Sequence, residues 1–161
     1  MLAGARAHNI MTSKIVARSL LLPYTPAQMF ALVNDVASYP KFLPWCAAAR
    51  VVNSNANHML AAIEIRKGPL HLSFTTRNVL DAGRAIRMEL VDGSFRALRG
   101  EWSFADIAGK GVRAGLRLEY DFNTLTGRVL LEPIFERVCQ LIMKAFAQRA
   151  REVYGRVVRP G

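Results

Sequence analysis

The chain has 161 residues, of which 52% are hydrophobic and 21% charged, and this composition is typical of one globular domain with a sizeable core rather than of a disordered chain. No apolar run approaches the roughly 18 residues of a transmembrane helix, which excludes a helical membrane span. The formal net charge of +10 is spread along the chain and favours polyanionic partners, RNA or anionic lipid headgroups, although a basic surface without a specific partner has the same composition.

The chain divides into one predicted domain and two short ends. We predict a flexible N-terminal extension over residues 1–13, one domain over 14–155 and a short C-terminal tail over 156–161, because no repeat or linker interrupts the chain. Cys46 and Cys139 lie outside any CxxC motif and favour a reducing compartment. We therefore expect a cytoplasmic location, with peripheral contact at the inner face of the membrane as a further option.

The first elements are a strand, a helix and a turn. The aliphatic segment Lys14–Leu22 predicts a strand. Thr25 can cap a helix and Gln28 can close its capping box, so a helix is predicted from there to about Val36. Two prolines and four large apolar side chains then predict a short turn over residues 38–45.

The rest of the chain predicts a meander of strands and one long helix. Turn signals divide residues 46–123 into six strand-length segments, and the last of them, Val112–Phe122, alternates between apolar and polar side chains throughout. Short turns between strands indicate antiparallel pairing. A broad apolar arc predicts a helix over Leu130–Tyr154, with Pro133 tolerated only in its first turn.

These elements predict an α+β fold, a seven-stranded antiparallel curved sheet around a long C-terminal helix. The helix covers the apolar face of the sheet. Such an arrangement often leaves an apolar cavity that binds hydrophobic small molecules. A core filled by side chains would show the same periodicity, so the open cavity is a hypothesis that the structure must test.

Five groups of residues, in order along most of the chain, carry a family resemblance. They are Met29-Phe30 with Leu32-Val33-Asn34-Asp35, Tyr39-Pro40-Lys41-Phe42-Leu43-Pro44-Trp45-Cys46, Phe74-Thr75-Thr76-Arg77-Asn78, Leu90-Val91-Asp92-Gly93, and Phe146-Ala147-Gln148-Arg149-Ala150 with Val153-Tyr154-Gly155. With them, the chain resembles the coenzyme-Q-binding START-like family of the SRPBCC (helix-grip) superfamily. Bacterial members of that family are often labelled ribosome-association toxins.

The resemblance implies a helix-grip fold, similar to the Bet v 1-like and START-like domains, over about residues 14–155. It also implies binding of ubiquinone or a related polyprenyl lipid in support of respiration and, for some bacterial members, interference with ribosomal subunit association. One position departs from the family pattern, since Ser94 stands where the family usually has proline. We expect this serine to loosen the turn that contains it.

Seventeen side chains are predicted to contact the ligand. They are Val33, Tyr39, Phe42, Leu43, Trp45, Phe74, Thr76, Asn78, Phe95, Trp102, Phe104, Phe122, Phe135, Val138, Ile142, Phe146 and Arg149. Thr76 and Asn78 share a strand face, where they can hydrogen-bond a quinone carbonyl or each other. Arg149 falls within the apolar arc of the last helix, so we expect either an internal ion pair with a carboxylate such as Asp35 or a polar anchor for a headgroup.

The leading functional hypothesis is a ubiquinone chaperone or carrier that supports respiratory electron transport. The first alternative is a ribosome-association toxin that binds the large ribosomal subunit and blocks subunit joining. The second is a cyclase-like or dehydratase-like enzyme, since the superfamily contains such enzymes. No metal-binding histidine spacing, phosphate loop or nucleophile motif is present, so we expect no catalysis, no metal and no cofactor apart from a bound lipid or quinone. A membrane surface is a further candidate partner, and DNA is not expected to be one.

Overall fold

A computed structural model describes residues 13–155 of the chain. The predicted C-terminal tail and all of the predicted N-terminal extension except Ser13 lie outside these residues. Seven strands are present in this part of the chain. They are β1 Lys14–Leu22, β2 Cys46–Ser54, β3 His58–Lys67, β4 Leu70–Asp81, β5 Ala85–Gly93, β6 Phe95–Asp106 and β7 Val112–Phe122. All pairs are antiparallel, in the spatial order β1-β7-β6-β5-β4-β3-β2, as the sequence predicts.

The first helix, α1, spans Pro26–Asn34 and begins with the predicted capping box. The Thr25 hydroxyl accepts from the Gln28 backbone N–H at 3.1 Å, and the Gln28 side chain accepts from the Thr25 N–H at 2.9 Å. The helix ends before the predicted Val36. A six-residue 3-10 helix, Val36–Lys41, forms the first half of the predicted proline-rich turn and directs the chain onto the end of the sheet.

The long C-terminal helix, α2, spans Leu125–Tyr154 and begins five residues before the predicted start. Pro133 lies in its third turn, so the prediction that Pro133 must lie in the first turn is wrong. The Thr124 hydroxyl accepts from the Gly127 N–H at 2.9 Å and caps the earlier start. The carbonyl that lacks a partner because of the proline is that of Val129, a residue 63% exposed, where water can replace the missing N–H.

The core lies between one face of the curved sheet and α2. Alternate side chains of β7, from Val112 to Phe122, point inward and are buried, as their alternation predicts. On α2, residues such as Phe135, Val138 and Phe146 are buried against them. Within residues 13–155, no helix is both long and apolar enough to cross a bilayer.

The turn between β5 and β6 corrects the expectation about Ser94. The Ser94 hydroxyl accepts from the Ser73 backbone N–H at 3.0 Å and donates to the Ser73 carbonyl at 3.1 Å. The Ser94 backbone N–H also donates to that carbonyl, at 3.0 Å. A proline here would have neither the hydroxyl nor the N–H, so the serine ties the turn to β4 rather than loosening it.

Ser94→Ala is therefore expected to lower the free energy of unfolding by about 1 kcal/mol, because two side-chain hydrogen bonds are lost. Urea denaturation measures this difference. Ser19→Ala is the matched control, since Ser19 is exposed on β1 and its substitution should change stability by less than about 0.5 kcal/mol. Equal changes in the two variants would show that the turn does not depend on the Ser94 hydroxyl.

Candidate ligand-binding cavity

A cavity of about 120 Å³ lies between the sheet and α2. Eleven of the predicted residues line it: Tyr39, Leu43, Trp45, Phe74, Thr76, Asn78, Trp102, Phe135, Val138, Ile142 and Phe146. The interval between sheet and helix is therefore not completely filled by side chains. Contact of these residues with a ligand stays a prediction.

Six predicted residues do not line the cavity. They are Val33, Phe42, Phe95, Phe104, Phe122 and Arg149. Phe95 and Phe122 stack on each other with ring centroids 5.3 Å apart and fill one end of the core. The Phe104 ring lies edge-on to that of Phe30 on α1, at 6.0 Å, so it joins helix to sheet. These rings face inward, as predicted, but they pack against protein rather than the cavity.

The sequence reasoning also missed ten lining residues. They are Val36, Cys46, Ala61, Ile63, Ile65, Met88, Leu98, Gly100, Leu116 and Leu118. Most of them lie at inward positions of alternating strands, which is the signal that could have found them. Gly100 is informative, because a Cβ there would lie 2.6 Å from Leu118 Cδ2 and 2.8 Å from Met88 Cε. The missing side chain leaves room for these two neighbours at the cavity wall.

Thr76 and Asn78 form a buried polar pair in the wall of the cavity. The Thr76 hydroxyl donates to Asn78 Oδ1 at 2.8 Å, and the two residues are only 4% and 5% exposed. Of the two predicted options, the structure thus contains the bond between the pair. This bond uses the Asn78 amide oxygen, so the amide nitrogen is the group that can donate to a carbonyl or hydroxyl of a ligand.

Two lining residues carry titratable groups, and neither supplies a charge near neutral pH. Burial raises the pKa of Tyr39, whose hydroxyl donates to the Val33 carbonyl. Burial also raises the pKa of the Cys46 thiol, and Cys46 and Cys139 are both buried and free. The cavity therefore presents the ring of Tyr39 and a neutral thiol, and it supplies no general acid or base poised near pH 7.

Arg149 lies outside the cavity, and its ion pair is with the exposed Glu152 rather than an internal one with a carboxylate such as Asp35. Its Nη1 atom is 3.6 Å from a Glu152 carboxylate oxygen, and its guanidinium lies over the Phe42 ring, 5.1 Å from the centroid. Asp35 instead accepts from the Ser38 hydroxyl at 2.6 Å. Arg149 occupies an inward position on the helical arc, but its long side chain extends out of the core to the protein surface, and 22% of the side chain is exposed.

The groove that contains Arg149 is separate from the cavity and lies between the segment 41–45 and α2. It has a volume of about 440 Å³, and Trp45 lines both it and the cavity. Lys41, Lys144 and Arg149 contribute positive charge to the groove, against one acidic residue, Glu152. Among residues 13–155, no three His, Cys, Asp or Glu side chains are grouped closely enough to hold a metal ion.

The architecture by itself defines the fold class of the protein. An antiparallel sheet curved around a long C-terminal helix, with an apolar cavity between them, is the helix-grip arrangement. The solved structure of a START superfamily protein from Mycobacterium smegmatis superimposes with a TM-score of 0.74, covering 86% of this chain and 98% of that chain at 12% identity. The predicted helix-grip fold is thus confirmed.

The profile of the family described as polyketide cyclase / dehydrase and lipid transport matches residues 22–147, and the chain belongs to that family. Ribosome association toxin RatA of Vibrio cholerae is 40% identical over 142 residues, which cover 88% of this chain and 99% of RatA. The mitochondrial coenzyme Q-binding protein COQ10 of Dictyostelium discoideum is 27% identical over 154 residues, covering 92% of this chain and 75% of COQ10. The predicted family relationship is confirmed, and neither relative is named as an enzyme.

Proposed function

We propose that this protein associates with the large ribosomal subunit and blocks subunit joining. The observation that carries the proposal is the 40% identity to a protein named ribosome association toxin over nearly the whole length of both chains. This was the alternative rather than the leading prediction from the sequence. The comparisons support it better, because the relative named for coenzyme Q binding is only 27% identical.

The charge of the chain supports the same proposal. A net charge of +10 favours association with the phosphate-rich surface of a ribosomal subunit, because each neutralised phosphate releases condensed counterions. Seventeen of the 22 basic residues are arginines, which can contact phosphates in a bidentate manner. Association of this kind is expected to weaken steeply as the salt concentration rises.

A subunit-joining assay tests the proposal. Purified small and large subunits are mixed at a magnesium concentration that favours joining, with or without the protein, and separated on a sucrose gradient. We expect the protein to reduce the joined fraction and to co-sediment with the free large subunit. An unrelated basic protein of equal net charge is the control. Unchanged joining with the protein in excess would overturn the proposal.

A second function is favoured by the cavity itself. We propose that the cavity binds a small hydrophobic ring with a hydrogen-bond acceptor, such as the head of a quinone. A volume of 120 Å³ approaches that of the engineered apolar cavity of about 150 Å³ that binds benzene, so the cavity is in the size range of a single ring rather than of a polyprenyl tail. The Asn78 amide would donate to the ring oxygen.

The two tryptophans of the chain provide the measurement, since Trp45 and Trp102 both line the cavity. We expect a short-chain ubiquinone to quench their fluorescence in a saturable manner. Ala61→Leu, which places a larger side chain in the cavity, should abolish saturation. Ala62→Leu, one residue along β3 and on the other face of the sheet, should not. Equal, non-saturable quenching in all three proteins would contradict binding in the cavity.

A further inference from the structure

The sheet face opposite α2 carries arginines that are matched by glutamates on neighbouring strands. Glu101 on β6 lies opposite Arg87 on β5 and Arg117 on β7 in the strand register, and Arg87 Nε is 2.9 Å from its carboxylate. In a second row of charges, Arg99 Nε is 3.9 Å from a Glu119 carboxylate oxygen. In the strand register, Glu89 lies opposite Arg99 and Arg77 lies opposite Glu89. Because the signs alternate across the strands, much of the charge on this face is neutralised within the protein.

The exposed face of α2 is different. The side chains at its exposed positions after Pro133 include Arg137, Gln140, Lys144, Gln148 and Arg151, spaced three or four residues apart along one side of the helix. We call these five residues the cationic stripe. No acidic residue occurs between positions 137 and 151. Within residues 13–155, none of its three cations lies within ion-pair distance of a carboxylate.

The groove beside α2 widens this positive surface. Lys41, at the end of the 3-10 helix, lines the groove together with Lys144 of the stripe and Arg149. Lys41 also has no carboxylate within ion-pair distance in the described part of the chain. Cations from two separate elements therefore face solvent on one side of the molecule, and Glu152 is the acidic residue that lines the groove with them.

We propose that the cationic stripe, together with Lys41, is the surface that binds ribosomal RNA, and that it does so through backbone phosphates. The inference rests on the proposed association with the large subunit and adds the site of contact. From Arg137 to Arg151 the helix rises about 21 Å at 1.5 Å per residue, which is long enough to contact several successive phosphates. A cation that is in no ion pair binds phosphate without giving up an existing pair, whereas a paired arginine of the sheet, such as Arg87, would give one up.

Two triple variants with the same loss of charge test the proposal. The stripe variant carries Arg137→Gln, Lys144→Gln and Arg151→Gln. The sheet variant carries Arg66→Gln, Arg87→Gln and Arg99→Gln, three arginines whose Nε atoms lie 2.7, 2.9 and 3.9 Å from a glutamate oxygen. All six residues are exposed, so both variants should fold, and far-UV circular dichroism checks this. The dissociation constant for purified large subunits is measured for both variants and the wild type at several potassium chloride concentrations.

We expect the stripe variant to bind at least about tenfold more weakly at low salt. The slope of the log association constant against log salt concentration should become less steep by about 3, one for each lost phosphate contact. The sheet variant should stay within about threefold of the wild type. Equal weakening of the two variants would show that only net charge matters. It would overturn the proposal that the cationic stripe binds RNA, and it would leave the proposed ribosome association intact. An unchanged stripe variant would do the same. A wild-type protein that does not bind the subunit would overturn the proposed function and the stripe together.

Discussion

Phe135→Ala is expected to lower the free energy of unfolding by about 3–5 kcal/mol, among the largest effects of any single substitution in this chain. Phe135 is 4% exposed, and its ring centroid lies 4.7 Å from that of Tyr120, 5.3 Å from Phe95 and 6.0 Å from Phe122. It is the residue through which α2 joins this aromatic cluster. Its removal would enlarge the neighbouring cavity, which nearby side chains can only partly refill.

Urea denaturation of the Phe135→Ala protein measures the loss. Val129→Ala, on the same helix but 63% exposed, is the matched control and should change stability by less than about 0.5 kcal/mol. A loss below about 1 kcal/mol at Phe135 would contradict the prediction that this ring is a main contact between α2 and the aromatic cluster of the sheet. It would indicate that the cluster repacks around the missing ring.

Arg128→Ala is expected to lower the free energy of unfolding by about 3 kcal/mol. Asp121 is 3% exposed at the end of β7 and accepts from Arg128 Nε at 3.2 Å and Nη2 at 2.8 Å. Removing the guanidinium would leave a buried carboxylate with only Arg96, whose Nη1 is 3.9 Å away. The cost is therefore placed at the lower end of the range known for broken buried ion pairs.

The double variant Asp121→Asn with Arg128→Ala separates charge burial from packing. If the unpaired carboxylate is the cause, the double variant should recover part of the stability lost by Arg128→Ala. Urea denaturation of both proteins makes the comparison. Equal stability of the single and double variants would contradict that cause and assign the loss to the aliphatic part of the Arg128 side chain.

The sheet could be predicted because its side chains repeat with a simple period. Val112–Phe122 alternates over its whole length, and this strand has the predicted bounds and the predicted buried face. The α2 helix shows the limit of such reasoning. Pro133 predicts a late helix start only if the Val129 carbonyl, which lacks the N–H of residue 133, must find its partner within the helix. Val129 is exposed, so water can bond this carbonyl and the helix can begin earlier.

The candidate site could be predicted only in part, because alternation tells which face a side chain occupies and not how deep it lies. Phe95 and Phe122 point inward as expected, but they pack on each other at one end of the sheet instead of lining the cavity. Ala61 lines the cavity and was missed, since a small aliphatic residue in a strand gives no distinctive signal. Arg149 has the expected helical angle, but its side chain is long enough to leave the core.

Function was harder to predict than fold, since the strongest periodic signal in the chain is the apolar one. That signal led to the cavity and to a lipid as the leading hypothesis. The surface that we propose for RNA binding depends on which cations are exposed on α2 and which cations of the chain are in ion pairs, and both require the structure. Members of one fold differ in such surfaces, so the architecture alone does not distinguish a carrier from a ribosome-binding protein.

Binding of the full chain to isolated ribosomal subunits at low salt tests the central claim most directly. The large and small subunits are compared separately by co-sedimentation at about 50 mM salt, where electrostatic binding is strongest. The account predicts saturable binding to the large subunit at about one protein per particle, and weaker, non-saturable binding to the small one. Failure to bind the large subunit under these conditions, or equal binding to both subunits, would contradict it.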